Sequence, residues 1–241
     1  KRGSFRAPFS LVQIVMRHSV IIPARNNAHW LPLAIESLLI QSASLSEIIV
    51  VSDGDENCSV ACARFEHVES VSLYQTNAPG GAYRARNVGL QCAKGSIISF
   101  CDSDDTWSVS RALEVESQFT SWSNIVNTYH NRVNEQGEVT STSTETLGGV
   151  FSYTREMVDR LGGFKDWTCS ADSDFYYRAL RAGGVRTISP TYSYNYRIHG
   201  GQLTQSRRAG LSSRLRKSYE SRWGSGPLTI RPRVPSYRRL F

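Results

Sequence analysis

The sequence predicts an α/β fold organised on a parallel, doubly wound sheet, and three observations carry that prediction. Short apolar runs suited to buried strands alternate with stretches of helical periodicity through the first half of the chain. Four polar clusters fall at or just beyond the predicted strand ends: Arg25-Asn26-Asn27, Asp53-Gly54-Asp55, Arg84 to Asn87, and Asp102 to Asp105. One apolar run, Ser96 to Phe100, stops abruptly on carboxylates. In open α/β sheets ligands bind beyond the carboxyl ends of the strands, so these clusters define one candidate crevice.

The first legible strand is His18-Ser19-Val20-Ile21-Ile22-Pro23, closed by Pro23 because proline cannot donate to a ladder. Residues 1–17 carry no clear pattern, and Leu11 to Met16 is too short and interrupted for the apolar part of a secretory signal. After the polar turn, Leu31, Ala34, Ile35, Leu38 and Leu39 recur at helical spacing. Glu47 to Val51 is a second buried strand, a helix takes roughly Ser59 to Phe65, and Val68 to Tyr74 is a third strand. Ala78-Pro79-Gly80-Gly81 is a turn, and Ala82 to Cys92 a helix. The acid-tipped strand comes next. Asp102, Asp104 and Asp105 repel one another and no Lys or Arg follows until Arg111, so a hard divalent ion held by oxygens is their simplest partner. The plainer alternative is an acidic loop capping the next helix through Asp105 or Ser108.

The pattern then changes. Ile125 to Val133 and Glu138 to Thr144 flank Asn134-Glu135-Gln136-Gly137 as a β-hairpin. Helices at Arg155 to Leu161 and Asp174 to Ala182 each stop on a glycine pair, and Val185 to Ile188 and Tyr192 to Arg197 read as strands. Asp172 and Asp174 are available as first-turn or capping acids of the second helix.

Composition excludes several classes. No run approaches the roughly 18 apolar residues of a membrane span. Five cysteines without CxxC pairs fit free thiols in a reducing cytoplasm and argue against a zinc site. The net charge of +7 is uneven: residues from Gly201 onward hold ten Lys or Arg against one acid, Glu220. The division expected is a body at 1–206, with one half at about 18–107 and a second at about 108–206, followed by a basic tail at 207–241. Leu211, Leu215, Tyr219 and Trp223 recur every four residues in that tail, which predicts a basic amphipathic helix. It either packs on the body or contacts an anionic membrane at its inner face. The cations lie in the tail alone, without a basic aromatic face on the body, which argues against nucleic acid as a partner.

Taken together, an acid after one strand, guanidinium groups on a following helix and carboxylates after another strand suit a ligand with base, ribose and diphosphate. Asp53 can accept from a base or ribose, and Arg84 or Arg86 can pair with phosphate. These residues resemble the inverting GT-A glycosyltransferases of family 2. Ser19 to Asn26 is similar to that family's opening strand, Val50-Val51-Ser52-Asp53-Gly54 to its second-strand motif, and Ala85-Arg86-Asn87-Val88-Gly89 to its Ala-Arg-Asn-x-Gly helix. Phe100 to Trp107 resembles its DxD signature, Ala171-Asp172-Ser173-Asp174 its Glu-Asp-x-Asp segment, and Tyr196 to Gly201 its closing motif. The resemblance covers about Ser19 to Ser206 in the family's order, and departs from it where Ala171 stands for Glu.

The resemblance implies a GT-A fold with a Rossmann-like, mainly parallel central sheet, a mixed α+β acceptor half, and transfer of a sugar from a nucleotide-sugar donor, UDP-linked by preference. It implies nucleotide binding by Pro23, Arg25, Asn26, Asp53, Arg84, Arg86, Asp102 and Ser103. It further implies Mn²⁺ or Mg²⁺ on Asp104, Asp102 and His199, and Asp172 as the base for a hydroxyl of a glycan, lipid-linked or protein acceptor. The rival readings are an inactive GT-A-like binding module and a nucleotidyltransferase; the latter wants a glycine-bearing loop after the first strand, which Ala24 to Asn27 lacks.

Overall fold

The computed structural model describes residues 16–145 and 150–241, so the reading of Leu11 to Met16 lies almost wholly outside the described residues. One mixed sheet runs through the molecule. Its parallel part places β1 (His18–Ala24) between β2 (Glu47–Ser52) and β4 (Ile97–Phe100), with β3 (Val71–Thr76) beside β2. Beyond β4 come β8 (Ser152–Thr154) and β6 (Ile125–Val133), both antiparallel pairings, then β9 (Arg186–Arg197) parallel to β6, and β5 (Thr106–Trp107) at the far edge. The hairpin partner β7 (Val139–Ser143) pairs with β6, and β10 (Tyr237–Arg239) closes the β3 edge antiparallel.

Alternation along the strands sorts the core into two layers, because successive side chains leave opposite faces. Val20, Ile22, Ile48 and Val50 share one core with Leu31, Ile35 and Leu38 of α1 (Leu31–Leu39) and with Cys58 and Cys62 of α2 (Glu56–Ala63). Ile21, Ile49 and Val51 face the other way, into a core with Ala85 and Val88 of α3 (Ala82–Cys92), Met157 and Val158 of α5 (Arg155–Leu161), and Phe175 of α6 (Ala171–Arg181). Gly89 lets α3 lie flat on β1: a Cβ there would sit 2.4 Å from Cγ2 of Ile21. That contact gives the glycine of the Ala-Arg-Asn-x-Gly stretch a physical reason.

Several element limits differ from the sequence expectation. Pro23 does not close β1, which continues to Ala24 opposite Val51 and Ser52. Ile21 accepts from the Cys101 N–H on the β4 side, so Pro23, two residues on, faces that side beyond the last β4 rung, where no donor is needed. Helix α2 starts earlier, at Glu56, because Asp55 caps it by accepting from the N–H groups of Asn57 and Cys58. Neither Asp105 nor Ser108 caps α4 (Arg111–Gln118); Ser110 holds that position without a side-chain bond. The two strands expected at 185–197 are one, because the ladder passes from Ser189 to Tyr192 and skips Pro190 and Thr191 as a bulge. Helix α6 begins at Ala171, so Asp172 lies inside its first turn and is not its cap. All five cysteines are free.

The basic tail lies on the body. Its helix is shorter than the four-residue repeat suggests, α7 (Arg214–Glu220), and no residue of it is buried. The expected apolar stripe divides: Tyr219 stacks on Trp167 and Trp223 on Tyr177, whereas Leu211 is exposed. Farther on, the Ile230 N–H donates to Leu161 before the chain joins the sheet as β10. Among the described residues no helix is long and apolar enough to cross a membrane.

Candidate active site

A cleft of about 610 Å³ opens at the C-terminal ends of β1, β2 and β4. Pro23, Arg25, Asn26, Asp53, Arg86, Asp102, Ser103, Asp104 and Asp172 all line it, as do Tyr83, Leu211, Arg216, Glu220 and Trp223. Sequence reasoning passed over this last group as site residues. Arg86 held the clue to Tyr83, which lies three residues earlier on the same helix face.

The strand ends are locked by backbone donors. The buried Asp53 carboxylate accepts from the N–H of Gly80 (2.7 Å) and of Gly81 (2.8 Å), with Thr76 Oγ1 at 3.4 Å and the Arg25 guanidinium at 3.9 Å. It therefore fixes the turn before α3 as well as the cleft wall. Gly54 beside it has φ +63°, and a Cβ there would meet the Pro79 nitrogen at 2.6 Å. Asn26 also sits at positive φ (61°), where its N–H donates to Asp55 Oδ2 at 2.6 Å. Asn27 Nδ2 reaches Ser103 Oγ at 3.1 Å and ties the first strand end to the fourth.

The three carboxylates after β4 have three different partners. Arg86, buried and brought in by α3, donates to Asp102 Oδ1 at 2.5 Å, and its guanidinium lies over the rings of Tyr83, Phe100 and Phe164. The cation missing from the local sequence is thus supplied across the fold. Burial lowers the Arg86 guanidinium, but Asp102, Tyr83 and Asp172 outweigh it and hold the group above its ordinary range. Burial, joined by Asp104 and opposed by Arg86, raises the Asp102 carboxyl. Asp105 is tied into the framework: it accepts from the Tyr194 hydroxyl (2.7 Å) and the Arg197 N–H (2.8 Å), and burial beside Asp104 and Asp102 pushes it well above the usual carboxylate range. Asp104 pairs with His199, Oδ2 to Nε2 at 2.8 Å. The Gly201 N–H donates to His199 Nδ1 at 3.2 Å, so Nε2 is the ring nitrogen turned to Asp104.

Metal ligation is best served by Asp104 and His199. Asp104 on the cleft wall and His199 beside it offer a carboxylate oxygen and an imidazole nitrogen, donors suited to Mg²⁺ or Mn²⁺. Asp102 fits this set less well, since Arg86 occupies its Oδ1, and among the described residues no three His, Cys, Asp or Glu side chains converge. Arg84 does not join the site. It lies one residue past Tyr83, turns outward and forms a two-pronged pair with Asp166, Nε to Oδ1 at 2.5 Å and Nη2 to Oδ2 at 2.6 Å.

The two acids of α6 separate cleanly. Asp174 is buried and accepts from Lys165 Nζ (2.8 Å), Arg178 Nε (2.8 Å) and the Gly224 N–H (3.1 Å), so its charge is fully engaged in the framework. Asp172 faces the cleft. Its Oδ1 accepts from the Tyr83 hydroxyl and the Ser173 N–H, both at 2.9 Å, and its Oδ2 has no hydrogen-bond partner among the described residues. The tail reaches this point too, with Arg216 donating to Ser170 Oγ at 3.1 Å and to the Ala209 carbonyl at 3.2 Å.

A parallel sheet with a carboxylate-rich cleft at its strand ends, extended by an antiparallel half that adds a further acid, is the GT-A type of α/β architecture. Solved structures agree: S. aureus TarS in complex with UDP superposes with a TM-score of 0.64 at 21% identity, over 77% of this chain and 61% of that one. The mannosyltransferase PcManGT from Pyrobaculum calidifontis, in complex with GDP-Man and Mn²⁺, gives a TM-score of 0.69 at 18% identity, over 88% of this chain and 66% of that one. The sequence model of glycosyl transferase family 2 matches residues 19–177, and the chain belongs to that family of sugar-transferring enzymes. Among relatives, an uncharacterized glycosyltransferase of Nostoc sp. is 25% identical over 84% of this chain and 71% of its own length. One of Rickettsia conorii is 32% identical over 50% of this chain, which spans only 20% of that protein.

Proposed function

We propose that the chain moves a sugar from a nucleoside-diphosphate donor, a UDP-sugar by preference, to an acceptor hydroxyl with inversion at the anomeric carbon. The observation that carries this reading is Asp172, a carboxylate with one oxygen held and the other open, on the wall of the same cleft as the strand-end carboxylates. Asp172 Oδ2 takes the proton of the acceptor hydroxyl as its oxygen bonds to the anomeric carbon, and the bond from that carbon to the diphosphate breaks with its electron pair on the phosphate oxygen. Attack from the side opposite the leaving group inverts the centre. Arg25, Asn26, Asp53 and Ser103 line the nucleotide end; Asp102 and Arg86 form the floor between nucleotide and base. Asp104 and His199 would hold Mn²⁺ or Mg²⁺, which when bound offsets charge on the departing diphosphate.

The donor class is supported by relatives of the same fold, since TarS is also solved with UDP-GlcNAc and PcManGT with GDP-Man. The acceptor enters at the end lined by Leu211, Arg216, Glu220 and Trp223, and a glycan, lipid-linked or protein hydroxyl fits that open end. The exposed Leu211 among Arg207, Arg208 and Arg214 suits contact with an anionic membrane surface carrying such acceptors. The test is a thermal-shift and donor-hydrolysis panel across nucleotide sugars with Mn²⁺, Mg²⁺ or EDTA. Selective, metal-dependent stabilisation with slow hydrolysis is expected; no response to any donor with metal would overturn the reading.

A further inference from the structure

We infer that Tyr83 is a positioning residue for the base, holding Oδ1 of Asp172 so that Oδ2 alone faces the acceptor hydroxyl; this rests on the assignment of Asp172 made above. Nothing in the motifs of the sequence marks Tyr83. It stands two residues ahead of the Ala-Arg-Asn stretch, at the second position of α3. Its side chain is 7% exposed and its hydroxyl donates to Asp172 Oδ1 across 89 residues of chain. The ring is flanked by two neighbours: it lies 5.8 Å from the Phe164 ring and 5.4 Å from the Arg86 guanidinium.

Two donors thus converge on one oxygen. The Ser173 N–H is fixed by the first turn of α6 and the Tyr83 hydroxyl by α3, so the carboxylate plane is held from two separate elements. A carboxylate held at one oxygen presents the other in a fixed direction, which is the orientation that proton transfer in a near-attack geometry demands. Burial first, and the Asp172 charge second, push the Tyr83 phenol well above its ordinary range, so it keeps its proton and acts only as a donor.

Other groups reach Asp172 through their fields. They are Arg86 of α3, Asp102 after β4, Tyr153 of β8 and Cys169 before α6. All of them stay in place when the Tyr83 hydroxyl alone is removed, so Tyr83→Phe isolates the contact while keeping the packing on Phe164. The same face of α3 carries Arg86 three residues on, gripping Asp102, so a single helical turn fixes both the base and the floor of the donor site.

The experiment compares wild type, Tyr83→Phe, Asp172→Asn and the double variant with the donor found by the panel and its acceptor. For Tyr83→Phe, the inference gives a kcat at least about tenfold lower, as for a lost hydrogen bond to a charged group, with donor KM unchanged. In the Asp172→Asn background the same change costs nothing further, because the hydroxyl acts only through the carboxylate. Wild-type kcat in Tyr83→Phe, with Asp172→Asn inactive, would overturn the inference and leave the base in place. Full transfer by Asp172→Asn would overturn both.

Discussion

The two ends of the cleft are held by different means. At the donor end every side chain leaves the tip of a parallel strand or the first turns of α3, and the ladder on both sides of β1 fixes where it points. At the acceptor end the lining comes from α6, the segment around 201–211 and α7, with no strand pairing among them. That end is tied by side chains: Asp174 to Lys165, Arg178 and the Gly224 N–H, and Arg216 to Ser170 and Ala209. The donor end is therefore a property of the sheet. The proposed acceptor end is a property of a few charged tethers.

Breaking a tether is the strongest way to test that contrast. Asp174→Ala leaves Arg178 buried without its carboxylate, and the expected loss is about 3–5 kcal/mol of stability, read by urea unfolding. If the protein instead unfolds at the wild-type midpoint with acceptor KM unchanged, the acceptor end is not held as described. A smaller effect is expected at the other end. Asp53→Asn turns an amide NH₂ toward the N–H of Gly80 or Gly81 and should cost about 1–3 kcal/mol. Nucleotide titration should show weakened donor binding with acceptor KM unmoved; the reverse pattern would dissolve the division between the two ends.

The smallest effect concerns neither end. His18 is fully buried beneath β4, bonded to Ser99 and Glu116, and burial, only partly offset by Glu116, lowers its imidazole below the ordinary 6.5. Between that lowered value and 6.5 the unfolded chain binds more protons than the folded one, so stability is full above 6.5 and falls as pH drops below it. Melting curves from pH 7.5 to 5 should show this decline in wild type and a shallower one in His18→Gln. Parallel declines would remove His18 as the cause.

How much of this was legible in the sequence follows the same division. The parallel half reads well because its signals are local: apolar runs set the strands, and Asp53, Asp102 and Asp104 follow them directly. Ala171 to Asp174 reads as a site only by resemblance, since two acids in one helical turn cannot be told apart locally. The structure separates them by a Lys, an Arg and a backbone N–H that all meet Asp174, contributed from residues 165, 178 and 224. Pro23 misled because a proline forbids a donor only where a partner strand waits for one, and on its β4 side the ladder has ended. Arg84 and Arg86 look equivalent by composition, but a rotation of about 200° around the helix separates a surface pair with Asp166 from the cation beneath Asp102. The tail's aromatic repeat did mark residues that pack on the body, Tyr219 and Trp223, though the helix carrying it is only Arg214–Glu220.

The central claim is that one cleft binds the donor at its strand ends and does its proton chemistry at Asp172. The most direct measurement is donor affinity and transfer rate side by side in Asp172→Asn. The account predicts donor binding equal to wild type, with transfer reduced by about 10²–10⁴-fold, the usual contribution of a general base. Transfer at the wild-type rate, or loss of donor binding with the fold intact, would contradict it.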